Sequence, residues 1–125
     1  MPQECTKRNE LFAMHHQLSK KAYDIMVTKN NDYASGDDPY ANFRKGEIFG
    51  LCSTEAGILL RVTDKISRLA TFAKDGKLMV DNEGYEDAVL DVINYMILFY
   101  GYQFDKKMEK EYKNSLFNCT TRELS

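Results

Sequence analysis

Apolar residues recur along this chain at three- and four-residue intervals, and period-two alternation is nowhere sustained. That pattern predicts helices and no sheet. From about Lys7 to Lys29, the positions Leu11, Met14, Leu18, Ala22, Ile25 and Met26 fall on one helical face, with no Gly or Pro inside. Ser53 or Thr54 supplies an N-cap for a second helix, and Glu55 suits its first turn, where the helix dipole favours an acid. Ile58, Leu59, Val62, Ile66, Leu69 and Phe72 or Ala73 form its apolar face, and Asp75-Gly76 closes it. A third helix begins near Glu83 with Val89, Val92, Ile93, Met96, Ile97 and Phe99 or Tyr100. Beyond Gly101, a break or a close helix contact, Phe104, Met108 and Tyr112 continue at four-residue spacing. They predict a fourth helix or an extension of the third, with a narrow stripe suited either to an oligomer interface or to covering the core. Residues 114–125 read as a loose tail. The expected fold is all-α, a three- to four-helix bundle in one domain spanning residues 1–125.

Residues 30–46 interrupt the pattern. They are dense in Asn, Asp, Gly and Pro and predict a loop between the first two helices. Phe43 to Cys52 has room for a short helical turn. The loop is long for a small domain, and such loops often carry function. Lys29, Asn31, Asp32 and Tyr33 at its start, and Asn42 and Phe43 near its end, are the residue types that meet a nucleotide. Asn side chains read base edges and aromatic rings stack on bases. The alternative is plainer: an Asx-rich turn ends the helix, and the rings pin the loop to the core.

Composition narrows the classes. The 125 residues are 43% hydrophobic and 29% charged, with net charge −2, ordinary values for a soluble globular domain. The slight acidity argues against a binder of duplex nucleic acid, though not of free nucleotides. Cys5, Cys52 and Cys119 form no CxxC pair and predict reduced thiols. His15 and His16 are adjacent, so they point about 100° apart on a helix and cannot clamp one metal. The polar start Met-Pro-Gln-Glu-Cys-Thr predicts no signal peptide, and the most apolar run, Ala88 to Tyr102, is too short to span a membrane. A cytoplasmic protein is expected.

The candidate chemistry lies on two stripes. Glu83, Asp87 and Asp91 are four apart, so a helix stacks their carboxylates along one line, with Asn94 and Tyr95 just beyond. Stacked like charges repel, so a cation belongs over them. Arg61, Asp64, Lys65 and Arg68 share a face of the preceding helix, and antiparallel packing brings the stripes together. Two arrangements satisfy the acids. In one, Arg61, Lys65 and Arg68 neutralise them directly in a salt-bridge lattice. In the other, Asp64, Asp87 and Asp91 hold Mg²⁺, which takes hard oxygen ligands, while Arg61, Lys65 and Arg68 hold phosphate.

Four segments also resemble a known family: Lys-Asn-Asn-Asp-Tyr at 29–33, Gly-Asp-Asp-Pro-Tyr-Ala-Asn-Phe at 36–43, Arg-Val-Thr-Asp-Lys-Ile-Ser-Arg at 61–68 and Glu-Asp-Ala-Val-Leu-Asp-Val-Ile-Asn-Tyr at 86–95. In this order they resemble the phage nucleotide modification associated domain, type one. That resemblance implies phage nucleotide or modified-base metabolism, in a host cytoplasm. A fainter resemblance is to the all-α MazG-like nucleotide pyrophosphohydrolases, which hold Mg²⁺ with E-x-x-E and E-x-x-D motifs and form homo-oligomers. Here the first motif is absent, and Asp87 and Asp91 stand four apart instead of three.

The resemblance implies a Mg²⁺-dependent pyrophosphohydrolase acting on a (deoxy)nucleoside triphosphate or related nucleotide, with Asp64, Asp87 and Asp91 as metal and catalytic residues. Lys29, Asn31, Asp32, Tyr33, Asn42, Phe43, Arg61, Lys65, Arg68, Asn94 and Tyr95 would bind substrate. The altered motifs imply an alternative, a non-catalytic nucleotide-binding protein that sequesters a signalling nucleotide or regulates a modification or defence enzyme. A third reading is an adaptor that acts through the charged C-terminal helix.

Overall fold

The computed structural model describes residues 6–33, 36–76 and 84–124, without the side chains of 31–33 and 119–124. Its elements are α1 (Lys7–Tyr33), a 3-10 turn (Ala41–Phe43), α2 (Lys45–Ile48), α3 (Thr54–Asp75) and α4 (Tyr85–Leu124), with no strand among the described residues. The all-α expectation therefore holds. No helix is long and apolar enough to cross a membrane, among the described residues.

The ends of α3 follow from local chemistry. Ser53 is extended, and its Oγ accepts the Ala56 N–H at 3.1 Å, which satisfies one of the orphan donors of the first turn. At the other end Gly76 takes φ +74°, and its N–H returns to the Phe72 carbonyl. A left-handed residue at that place closes a helix without the clash that a Cβ would bring.

Two boundaries differ from expectation. α1 continues four residues beyond Lys29, to Tyr33. The loop after it contains a 3-10 turn and the one-turn α2, in keeping with the turn expected between Phe43 and Cys52. α4 runs for 40 residues through Gly101 and through the segment expected to be a loose tail. At 1.5 Å per residue this rod is about 60 Å long. Gly101 is therefore a contact and not a break. The Tyr40 hydroxyl occupies the space its Cβ would fill.

α3 packs antiparallel along α4, and among the described residues α1 packs on α4. At the α3–α4 contact, the core joins Tyr40, Ile58 and Tyr102, flanked by Phe43, Tyr95, Leu98 and Phe99. Tyr40 meets Tyr102 edge-on with ring centres 5.4 Å apart. α1 crosses α4 at Ala22, which is buried together with Ala88 and Leu90. The small residues there let two backbones approach, and the Asn94 amide donates to the Ala22 carbonyl at 3.0 Å.

The buried set is small. Leu11 and Met14 of α1, Leu59 and Ile66 of α3, and Met96 and Ile97 of α4 belong to the expected apolar faces, yet all are exposed.

Candidate functional site

Packing α1 and α3 against neighbouring faces of α4 leaves two cavities that share a wall. The first, about 280 Å³, is lined by Ile25 and Lys29 of α1, Lys65 and Arg68 of α3, and Asp87, Ala88, Leu90 and Asp91 of α4. The second, about 180 Å³, is lined by Met26, Lys29 and Asn30, by Pro39, Asn42 and Phe43 of the loop and 3-10 turn, and by Asp91, Asn94, Tyr95 and Leu98. Lys29 and Asp91 line both, so the cavities are two halves of one groove.

The shared wall is an ionic cluster. Lys65 Nζ lies 2.9 Å from one Asp91 oxygen, and Lys29 Nζ lies 3.6 Å from the other. Both cations thus reach one carboxylate, from different helices. The Lys29 side chain is 58% exposed while Lys65 and Asp91 are about one-fifth exposed, so Lys29 is the outer and looser partner. A lysine ammonium carries three N–H donors, so a shared carboxylate leaves donors on both for a further anion. Asp87, one turn before Asp91, lines the first half of the groove as a second carboxylate.

The second half has different chemistry. Phe43 and Tyr95 stand at 89° with ring centres 6.1 Å apart, forming an aromatic corner. The amides of Asn30, Asn42 and Asn94 line the same space. Asn94 Oδ1 is buried without a hydrogen-bond partner, an unmet acceptor on the wall. A flat heteroaromatic ring fits such a corner, with stacking on a face and amides along an edge.

The sequence-derived candidates divide as follows. Lys29, Asn42, Phe43, Lys65, Arg68, Asp87, Asp91, Asn94 and Tyr95 line the groove. Arg61 and Asp64 are exposed on α3 and do not line it. Neighbours on a helix diverge by about 100°, so turning Lys65 onto Asp91 turns Asp64 away. Glu83 and the side chains of Asn31, Asp32 and Tyr33 lie outside the described residues. Among the described residues, no three His, Cys, Asp or Glu side chains gather to hold a metal ion. Asp87 and Asp91 remain as a pair of hard-oxygen donors, to which Asp64 adds nothing.

Ile25, Met26, Asn30, Pro39 and Leu98 also line the groove and were not among the candidates. Ile25, Met26 and Lys29 lie three and four apart on α1, so the position of Lys29 already implied that its apolar neighbours share the wall.

A second polar cluster lies at the far end of the α3–α4 contact. Glu55 accepts from Lys106 Nζ and from Gln103 Nε2, both at 2.6 Å. Asp38 accepts from Arg44 Nε at 2.6 Å and from the Tyr40 N–H at 3.0 Å. The Arg44 guanidinium and the Lys106 ammonium lie 5.5 and 5.7 Å from the centre of the Tyr102 ring. The hydrogen bond from Lys106, with that from Gln103, holds the Glu55 carboxyl below its ordinary range. Arg44 does the same for Asp38, outweighing the upward push of burial. Burial, followed by the charges of Asp105 and Asp38, pushes the Tyr40 hydroxyl up.

The chain matches no protein-family model, and no curated protein or solved structure is significantly similar to it. The functional reading therefore rests on the groove.

Proposed function

We propose that this chain is a nucleotide-binding protein, with the phosphate of its ligand in the cationic half of the groove and the base in the aromatic half. The observation that carries this reading is the convergence of Lys29 and Lys65 on Asp91, at the boundary between a charged cavity and an aromatic, amide-lined one. A ligand that is anionic at one end and flat and hydrogen-bonding at the other matches both halves. Lys65 and Lys29 would engage phosphate oxygens, with the exposed Arg68 further along the same wall. Phe43 or Tyr95 would stack on the base, and Asn42 and Asn94 would meet its edge. Volumes of about 280 and 180 Å³ suit a mononucleotide better than a longer chain.

Asp87 and Asp91, one turn apart beside the cations, support a second reading as a Mg²⁺-dependent pyrophosphohydrolase. Bound Mg²⁺ would supply charge neutralisation and an activated water. Binding without hydrolysis is preferred because Asp64 stands outside the groove and two lysines already face Asp91.

Calorimetric titration with nucleoside mono-, di- and triphosphates, first in chelator and then in Mg²⁺, tests the proposal. Expected is saturable binding in chelator and no release of pyrophosphate or phosphate in Mg²⁺. Turnover that requires Mg²⁺ would replace binding with hydrolysis. Absence of binding by every nucleotide under both conditions would overturn both readings.

A further inference from the structure

The aromatic half of the groove holds a polar atom whose orientation is fixed and whose bonding capacity is unused. Asn94 Nδ2 donates to the Ala22 carbonyl of α1 at 3.0 Å. A carbonyl oxygen only accepts, so the amide is held one way round, because a flipped Asn94 would set oxygen against oxygen. Asn94 Oδ1 is thereby committed to the other branch of the amide, where it is buried without a hydrogen-bond partner. Among the described residues, no other buried side-chain oxygen or nitrogen is left in that state. A buried acceptor without a donor is costly, and folded proteins leave few of them. Asn94 lines the same space as the Phe43–Tyr95 corner and the amides of Asn30 and Asn42.

These amides are not equivalent. Asn42 is exposed. A side-chain amide that can turn presents either its oxygen or its NH₂, so it meets a base carbonyl and a base amine alike. Asn94 has no such freedom, because turning it breaks the bond to Ala22. It offers an acceptor alone. It therefore attracts an N–H and repels a carbonyl oxygen. Adenine and cytosine carry an exocyclic amine where their deaminated counterparts, hypoxanthine and uracil, carry a carbonyl. The amine also projects from the ring, so it reaches a buried acceptor more readily than a ring N–H beside a carbonyl.

We infer that the groove selects nucleotides with an amino-bearing base over the corresponding oxo base, and that Asn94 determines the choice. This inference rests on the nucleotide reading above and adds the class of base to it. In the occupied groove the base lies against Phe43 or Tyr95, and its amine donates to Asn94 Oδ1. Asn42, free to turn, meets the adjoining ring nitrogen. Deamination replaces the donor by an acceptor. Asn94 Oδ1 then stays unpaired and faces a second oxygen, which costs more than a missing bond. The choice is made at the base, so Lys29 and Lys65 at the cationic half strengthen both members of a pair equally.

The test is calorimetric titration of the full-length chain, in chelator, with two pairs of 5′-monophosphates: adenosine against inosine, and cytidine against uridine. The amino member of each pair is expected to bind roughly 10- to 100-fold more tightly than its oxo counterpart. Purine riboside and 2-pyrimidinone riboside monophosphates carry hydrogen in place of the amine, without adding a carbonyl. They are expected to bind several-fold more weakly than the amino members. That comparison uses the unsubstituted chain and decides the point even if Asn94→Ala does not fold. In a folded Asn94→Ala chain the two members of each pair are expected to bind with near-equal affinity. Oxo members that bind the unsubstituted chain as tightly as amino members would overturn the inference and leave nucleotide binding standing. An amino preference undiminished in folded Asn94→Ala would do the same. Absence of binding by every nucleotide would overturn the nucleotide reading itself, and this inference with it.

Discussion

Glu55 lies at one end of the α3–α4 contact and Asp91 midway along it, and they meet their cations differently. Glu55 is closed: Lys106 and Gln103 each donate to it at 2.6 Å, one to each oxygen. Asp38 beside it is closed in the same way by Arg44. Asp91 is open. Lys65 touches it at 2.9 Å, Lys29 stands off at 3.6 Å, and a cavity opens on either side. The closed pairs flank the Tyr40–Tyr102 contact, with Arg44 and Lys106 over the Tyr102 ring. The open pair lies where α1, α3 and α4 approach one another without filling the space. Each Glu55 oxygen has a short hydrogen bond at 2.6 Å, and Glu55 lines neither half of the groove. Two lysines sharing one carboxylate still have donors to spend on an anion. Stability therefore concentrates around the Tyr40–Tyr102 contact and recognition around Asp91.

Substitutions at the two clusters should separate accordingly. Tyr102→Ala strikes the closed cluster, removing a buried ring that touches Tyr40 and lies under Arg44 and Lys106. A loss of about 3–5 kcal/mol is expected in urea unfolding. A loss below about 1 kcal/mol would mean the closed cluster does not carry the fold. Lys65→Ala strikes the open cluster. Nucleotide affinity by calorimetry should fall roughly 10- to 100-fold, the worth of a charge-assisted hydrogen bond. Stability should change by no more than about 1 kcal/mol, as for a partly exposed pair. A stability loss as large as that of Tyr102→Ala would erase the distinction between the clusters.

Gly101→Ala probes the closed cluster more gently. The added methyl needs the place of the Tyr40 hydroxyl, so a loss of about 1–2 kcal/mol is expected, measurable as a lower melting temperature. The smallest effect concerns pH. The Glu55 and Asp38 carboxyls are held below their ordinary range, so their contribution is complete above about pH 4. It is lost as the pH falls through their lowered values in the folded state. Melting temperature should therefore drop on acidification below about pH 4, and Glu55→Gln should flatten part of that drop. An unchanged slope would show that Glu55 is not closed in solution.

What the chain's pattern made legible was mostly local. Ser53 and Gly76 bound α3 because a cap depends on a few adjacent residues. The pairing of Lys65 with Asp91 was legible from two stripes at helical spacing. The role of Asp64 was not, since one residue of offset decides whether a side chain faces a neighbour or the solvent. Gly101 was ambiguous because helix propensity weighs against a central glycine, while its actual reason, Tyr40, comes from sixty residues away. Met96 and Ile97 of α4 were read as core yet are exposed, because spacing gives a face and not what covers it. Lys29 was legible as a candidate only with the loop after it, yet it acts across the groove from α1.

The central claim is that the lysines around Asp91 serve a nucleotide and not a catalytic metal site. Asp91→Asn tests it most directly, by calorimetric titration with the best-bound nucleotide in the presence of chelator. Removing the carboxylate releases Lys29 and Lys65 for phosphate, so affinity is expected to hold or rise several-fold. Loss of binding in Asp91→Asn, together with Mg²⁺-dependent nucleotide turnover by the unsubstituted chain, would contradict it.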